Sequence, residues 1–505
     1  MLKSPVRRTA YVNQGAGALS LSRGHRSLST NFSVPLIING QQVHTSQSFP
    51  VTSPLTNKEI WSFSCAKHEH VQKAVQSAHN AFKDWSKTKA SSRRDIFLKA
   101  ADIMDRRRAE LGEYMHHEIG ANKFYQDFIL RVAIEGLRDT AGGIAGAMTG
   151  AAPESIHQGM QAIVQKRPYG VVLGIAPWNA PYNLGLRSVL FALATGNTTI
   201  LKGSEYTPRC YWAIYDVLRE AGLPDGCLNL LFHSPAEAAS TIDSLVSHPL
   251  VKKINFTGST RVGRIISATA GKHLKPVLME LGGKASAIVL KDADLEQAAR
   301  HCVQGAFLNA GQIGMSTERI IVHESIASEF QDLLGHVIRK NFGIAHDTPA
   351  VVTSASASRN RDLVSDAISK GAHQVKIFGD EHAHETETKM RPVVLGNVKK
   401  NMNIYSQESF GPSVSLFTFQ TRREALDLAN DTEYGLTASI FSKDLKAAFD
   451  LADDLESGAV HINSMTVHDE SSLPHGGVKN SGYGRFNSSQ GLDEFLYYKT
   501  VTWME

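Results

Sequence analysis

Three short stretches of this sequence carry residue types that could do chemistry together. Glu280 ends the apolar run "VLMEL" and precedes Gly282 and Gly283. A carboxylate in that setting is partly desolvated, which raises its pKa toward that of a general base; the alternative is an acid that only forms a turn. Asn179 stands in "APWNAPYN", beside Trp178 and between prolines that fix the backbone. Its amide is either a held donor for a developing oxyanion or part of a structural turn. The third stretch is "NAGQIGMS", where Gly314 occupies a loop whose neighbours would suit a reactive side chain.

Other stretches suit a nucleotide. In "NFTGSTRVGRIISATAG" a strand leads through Gly258 into a helix capped by Ser259 or Thr260. Amide N–H groups at a helix start attract phosphate oxygens, and Gly258 and Gly263 permit close approach. The spacing is not GxGxxG, so an ordinary strand–helix turn is the competing reading. In "TILKGSE", Lys202 and Glu205 follow a strand end, where the ribose of a nucleotide lies in an open α/β sheet. A carboxylate there accepts ribose hydroxyls and repels a 2′-phosphate; the bland reading is a solvated loop. In "SQESFGPS", Glu408 and Phe410 precede a Gly-Pro turn and could contact the ribose and face of a planar group, or be an exposed acid and a core ring.

The elements that must position these residues alternate. "EHVQKAVQSAHNAFKDW" has Val71, Ala74, Val75, Ala78, Ala81 and Phe82 at helical spacing. "GVVLGIAP", "NTTILKG", "CLNLLF" and "VKKINFTG" are short β-rich runs with helical segments between most of them, which implies a parallel sheet with crossover helices. A second alternating block runs from "SAIVL" to about residue 465. The helix before Gly314 has Leu295, Ala298, Ala299, Cys302, Val303, Ala306 and Phe307 on one face, with Asp294 and Gln297 at its start. Cys302 therefore reads as a packing residue. "GMQAIVQKRPYG" looks like a hairpin arm, and "LDEFLYYKTVTWM" like an edge strand, both suited to subunit contacts.

The bulk composition excludes several classes. The chain has 505 residues, 42% hydrophobic and 20% charged, ample for two to four folding units. No apolar run is long enough to span a membrane. The four cysteines lie far apart without a CxxC pair, which argues against a disulfide framework or a zinc site and favours a reducing compartment. "GDEHAHETE" at 379–387 and "KHEH" at 67–70 read as a charged loop and a helix start rather than metal sites. Residues 1–30 contain Lys3, Arg7, Arg8, Arg23 and Arg26, many serines and no acid; the first acid is Glu59. That is the composition of a mitochondrial transit segment, or of a basic disordered tail. Without those cations the net charge moves from +4 to −1, so the basic balance gives no case for nucleic acid.

Taken in order, "APWNAP", "GNTTILKGSE", "FTGSTRVG", "LMELGGK", "NAGQIGMS", "QESFGP", "NDTEYGLTASIFS" and "PHGGVKNSGYGR" resemble the NAD(P)-dependent aldehyde dehydrogenase superfamily over the chain after residue 31. The C-terminal words resemble its vanillin and salicylaldehyde branch, which favours aromatic aldehydes. The resemblance implies a Rossmann-type dinucleotide-binding domain at 31–147 and 168–281, an α/β catalytic domain at 282–481, and an oligomerisation arm from 148–167 and 482–505. It implies Asn179 in the oxyanion hole and Glu280 as general base. It places Trp178, Lys202, Glu205, Gly258, Ser259, Gly263, Glu408 and Phe410 against NAD, with NADP possible. An aldehyde tunnel would be lined by Tyr182, Trp178 and the 464–472 loop, and the protein would be a homodimer or homotetramer of the mitochondrial matrix or cytoplasm.

The family's nucleophile is the cysteine of a GQxC word. Here that word is "GQIG", and Gly314 stands at the nucleophile position. Gly203 replaces a usual proline, Arg261 a usual glutamate and His475 a commoner phenylalanine. The resemblance thus implies oxidation of an aromatic aldehyde to the acid, weakened or lost for want of the thiol. The alternatives are direct hydride transfer from a hydrated aldehyde, and a non-catalytic NAD-binding partner or scaffold that assembles with active subunits. Ser316, two residues on, is a weak substitute without an adjacent base.

Overall fold

The computed structural model describes residues 32–343, 348–379 and 385–504. The basic leader at 1–30 and the centre of the 379–387 stretch lie outside the described residues. Two large sheets organise the rest, as the alternating pattern requires.

The first sheet is eight-stranded. Its order is Gly482–Tyr483, Val277–Glu280, Val251–Thr257, Val171–Ile175, Thr198–Lys202, Leu228–Leu231, Leu36–Ile38 and Gln41–Val43. The strands from Val277–Glu280 to Leu228–Leu231 are parallel. "VVLGI", "TTILK" and "LNLL" are buried along their whole length, as strands covered on both faces are, and none alternates apolar with exposed polar positions. Val171–Ile175 has Thr198–Lys202 on one side and Val251–Thr257 on the other. The winding reverses there, so a crevice opens beyond its carboxyl end, between residues 176–180 and Gly258–Ser259.

The second sheet is seven-stranded, ordered His373–Gln374, Val393–Gly396, Ser413–Phe419, Thr317–His323, Ala285–Val289, Thr437–Phe441 and Ala459–Ile462. All but the His373–Gln374 edge run parallel. The chain passes from the first sheet to the second through Gly282 and Gly283, directly after Glu280.

The helices follow the apolar spacing. His68–Trp85 buries Val71, Ala74, Val75 and Ala78, and begins where "KHEH" indicated: His70 Nδ1 accepts from the Lys67 N–H at 3.0 Å. Leu295–Phe307 buries Ala298, Ala299, Cys302, Val303, Ala306 and Phe307, and Asp294 caps it by accepting from the Gln297 N–H at 3.0 Å. Cys302 is a core residue, as its spacing indicated, and burial pushes its thiol well above the ordinary value. Met160–Pro168 does not fold back on itself as an independent hairpin. Its partner is Leu496–Met504, antiparallel from Met160 opposite Met504 to Pro168 opposite Leu496. This ribbon leaves Tyr497, Tyr498, Trp503 and Met504 exposed. Among the described residues no helix is long and apolar enough to cross a membrane, and no group of three or more His, Cys, Asp or Glu could hold a metal ion.

Candidate active site

The loop that holds Gly314 is built by backbone strain. The helix Leu295–Phe307 runs into Asn309, Ala310 and Gly311, all in the left-handed region at φ 50°, 59° and 71°. Such residues cost free energy unless the surroundings fix them. Gln312, fully buried, is what fixes them. Its side chain donates to the carbonyls of Asn309 (2.9 Å) and Ala350 (3.2 Å) and accepts from the Val352 N–H (2.8 Å). Gly311 cannot be replaced by a larger residue, because a Cβ there would lie 2.2 Å from the Gly411 carbonyl oxygen. Gly314 is different. A Cβ on it would meet Leu436 Cδ2 at 3.5 Å and the Leu281 carbonyl at 3.7 Å, ordinary contact distances. Its φ is outside the left-handed set. The loop therefore has room for a side chain at 314. Ser316, by contrast, has its hydroxyl buried, and among the described residues no base or other partner is bonded to it.

Asn179 reaches this loop. Its Nδ2 donates to the Gln312 carbonyl at 2.8 Å, and its own carbonyl accepts from Tyr125 Oη at 2.9 Å and Asn309 Nδ2 at 3.3 Å. One amide hydrogen is thus spent on positioning, and the other has no partner among the described residues. Tyr182 does not line an opening here. It is fully buried, and its hydroxyl donates to the Leu111 carbonyl at 2.9 Å. The adjacent proline starts a helix whose packing turns the Tyr182 ring into the core.

Glu280 overturns the expected pKa direction. Its burial does push the carboxyl upward, but Arg187 and then His475 outweigh it, and the carboxyl ends below its ordinary value. Arg187 Nη2 donates to both Glu280 oxygens, at 2.7 and 2.8 Å, while Nη1 donates to Asp469 Oδ2 at 2.9 Å. The side chains of Arg187 and Glu280 are 4% and 8% exposed, which makes the pair a buried ion pair and not a surface one. Asp469 also accepts from Asn183 Nδ2 (2.9 Å) and Asn487 Nδ2 (2.8 Å). His475 Nε2 lies 3.5 Å from Glu280 Oε2. The sequence reading did not include Arg187 or Asn183 in the site, and reached Asp469 only as part of the 464–472 loop. The available signal was a lone charge, Arg187, in "NLGLRSVLFALA", a helix otherwise uncharged and buried nearly throughout.

The crevice side collects the residues assigned to a nucleotide. Lys202 ends its strand 8% exposed, and its ammonium makes no hydrogen bond or ion pair to any described residue. Burial lowers its pKa, and Glu205 partly offsets this. A desolvated cation without a partner is costly, and a ligand's hydroxyls would satisfy it. Ser259 caps the helix Thr260–Lys272, accepting from the Val262 N–H at 3.4 Å, and stands exposed at its start. A Cβ on Gly263 would come within 2.5 Å of Leu281 Cδ2, so the glycine is needed to seat this helix against the sheet. Gly203 has a similar cause: a Cβ there would press on Phe232 at 2.4 Å. The Trp178 ring stands edge-on to Phe410 at 5.8 Å, and to Tyr206 at 6.1 Å.

Phe410 itself sits at φ 47°, held there by Glu318. That buried carboxylate accepts from the Ser409 N–H (2.8 Å) and the Phe410 N–H (3.2 Å) and pairs with Lys284 Nζ at 2.5 Å. Glu408, next in the loop, accepts from the Gly283 N–H at 2.8 Å. Burial and the charge of Glu318 push its carboxyl up to about 8.

Comparison with known proteins agrees with this geometry. The aldehyde dehydrogenase family profile matches residues 42–501. A vanillin dehydrogenase of a Pseudomonas species is 40% identical over 478 residues, 93% of this chain and 98% of that protein. Among solved structures, a salicylaldehyde dehydrogenase from Pseudomonas putida complexed with salicylaldehyde superposes with TM-score 0.89 at 35% identity, covering 94% of this chain and 99% of that one. An NADP-dependent glyceraldehyde-3-phosphate dehydrogenase from Bacillus halodurans complexed with NADP has TM-score 0.88 at 29% identity, covering 94% and 100%. With the family profile spanning nearly the whole chain and the two-sheet architecture shared throughout, this chain belongs to the aldehyde dehydrogenase family.

Proposed function

We propose that the chain binds NAD or NADP and an aromatic aldehyde at the junction of its two sheets, and that its thiol-dependent oxidation is very weak or absent because residue 314 is glycine. The observation that carries this reading is the intact surround of an open position: Asn179 is bonded to the Gln312-held loop, and residue 314 in that loop, against the chain just after Glu280, has space for a side chain and none present.

The unpartnered ammonium of Lys202, with Glu205, suits the adenosine ribose, and the exposed helix start at Ser259 suits the pyrophosphate. Glu408 and Phe410 suit the nicotinamide half, with Trp178 backing the Phe410 ring. When bound, the nicotinamide supplies a hydride acceptor. The chain's own residues bind and orient the aldehyde. The free Asn179 amide hydrogen would donate to a developing oxyanion, and Glu280 would take a proton from water. The identity to a vanillin dehydrogenase and the likeness to a salicylaldehyde complex support an aromatic substrate. Homo-oligomerisation through the Met160–Pro168 and Leu496–Met504 ribbon is part of the same proposal, supported by its exposed aromatic residues.

Isothermal calorimetry with NAD and NADP, together with benzaldehyde turnover, tests it. Dinucleotide binding with turnover at least about a thousandfold below ordinary enzyme rates of 1–1000 per second is expected. Ordinary turnover by the native chain, or no dinucleotide binding at all, would defeat the reading.

A further inference from the structure

Of the two departures that bear on the reacting centre, Gly314 packs against the chain just after Glu280 and His475 faces the Glu280 carboxylate. The first leaves space beside Leu281, the residue that follows Glu280; a Cβ at 314 would clear its nearest neighbours by 3.5 and 3.7 Å. The second places an imidazole against Glu280 itself. His475 is 5% exposed, its Nε2 is 3.5 Å from Glu280 Oε2, and among the described residues no group other than Glu280 reaches that nitrogen. The antiparallel bridge between His475 and Phe486 fixes its backbone, and the Phe486 ring lies under Arg187 at 5.0 Å.

An imidazole here does what a phenyl ring cannot: it holds a proton. Glu280 can accept one from water but is poorly placed to keep it, because Arg187 donates to both of its oxygens. A base that takes a proton and then passes it to a neighbour is ready for the next event without giving up its ion pair.

Resting on the aldehyde site proposed above, we propose that Gly314, Glu280 and His475 form a centre for the reversible hydration of aldehydes, independent of any nucleotide. Water occupies the space that a thiol would fill. Its oxygen bonds to the carbonyl carbon as one of its O–H bonds breaks, and the carbonyl π pair moves onto the carbonyl oxygen beside the Asn179 amide. The released proton passes through Glu280 to His475 Nε2, and its return to the alkoxide completes the gem-diol. Nothing is oxidised or reduced. Reversal expels either oxygen, so the carbonyl oxygen exchanges with solvent. His475 is a positioning residue in this scheme, since it acts only through Glu280. The titratable and charged groups around it are Glu280 from Val277–Glu280, Asp469 from its own segment, Arg187 from the helix Pro181–Ala194, and His461 from Ala459–Ile462, with His468 and Glu470 behind His461.

The test uses the full chain without nucleotide and benzaldehyde labelled with heavy oxygen at the carbonyl. Label loss to water is followed by mass spectrometry, and aldehyde binding by saturation-transfer NMR. The native chain is expected to accelerate exchange over an equal concentration of free imidazole. His475→Phe is expected to lose roughly a hundredfold of that acceleration, the scale of general acid–base catalysis, while benzaldehyde binding stays unchanged. His475→Gln, with a similar polar reach and no basic nitrogen, serves if the phenylalanine variant misfolds, and melting curves check both. Gly314→Cys is expected to lower exchange, because addition of a thiol leaves the original oxygen on carbon. Benzaldehyde that binds but keeps its label, or exchange unchanged in folded His475 variants, overturns the hydration proposal alone. Benzaldehyde that does not bind overturns the aldehyde-site reading with it.

Discussion

Gly314→Cys is the perturbation that bears most directly on this chain, and its consequences follow from the loop. The residue is outside the left-handed region and a Cβ there makes only ordinary contacts, so the folded state accepts the change without strain. Replacing glycine at a compatible site stabilises by about 0.4–1 kcal/mol through the unfolded chain. The four native cysteines are all buried, and burial pushes Cys65 to about 11 and Cys227 to about 12. A thiol reagent near pH 8 should therefore leave the native chain largely unlabelled and modify one site per variant chain. Restoring a nucleophile to an otherwise formed site is worth roughly 10^4- to 10^6-fold in rate, about 5–8 kcal/mol of barrier. Benzaldehyde oxidation, followed by the absorbance of reduced nicotinamide, should rise by that factor. Because Arg187 holds the Glu280 carboxyl below its ordinary value, water attack on the acyl-enzyme should be the slow step. The variant should then show a burst of one equivalent per site before its steady rate. A variant that exposes a reactive thiol, binds nucleotide, and still oxidises benzaldehyde no faster than the native chain would refute the placement of the nucleophile at 314.

Arg187→Met should leave Glu280 and Asp469 buried without their cation, a loss of about 3–5 kcal/mol readable by urea unfolding. Both acids lie below their ordinary values when folded, so their stabilisation is complete above the unfolded pKa near 4 and is lost as pH falls toward the folded values. The native chain should therefore lose stability on acidification in a limb that Arg187→Met flattens. Glu408, pushed up to about 8, is mostly neutral at pH 7, so Glu408→Gln should bind NAD almost as well as the native chain there. Above pH 8 the native carboxyl ionises and the two affinities should part; a large difference already at pH 6 would show that the carboxyl is charged in the free protein.

How much of this was legible in the sequence depended on whether the cause was local. The helix Leu295–Phe307 was readable because Asp294, Gln297 and the apolar spacing all lie within it. The strand Val171–Ile175 beside the crevice was readable because a strand buried on both faces needs an unbroken apolar run. The direction of the Glu280 shift was not. Its sequence neighbours announce desolvation, while the guanidinium that reverses the shift is 93 residues away. The left-handed Phe410 was equally hidden, since the carboxylate that fixes it is Glu318, 92 residues off. Tyr182 failed for a related reason: its place beside "APWNAP" says it is near the site, but only the packing of its helix says which way the ring turns.

The buried charges also bear on whether the chain is a scaffold or still a chemical site. An Arg187 shared between Glu280 and Asp469 is an expensive way to hold a fold, because buried ion networks are commonly replaced by apolar residues of similar volume at no loss, or with a gain of about 1–4 kcal/mol. A protein kept only for its surface has no use for that expense. The simultaneous change Arg187→Met, Glu280→Leu and Asp469→Leu separates the cases. If the network serves chemistry, the triple variant should unfold at equal or higher urea than the native chain, unlike Arg187→Met alone, while losing carbonyl-oxygen exchange and any turnover restored by Gly314→Cys. If the triple variant is instead destabilised as much as the single one, the network is structural, and its presence no longer argues for chemistry at Glu280.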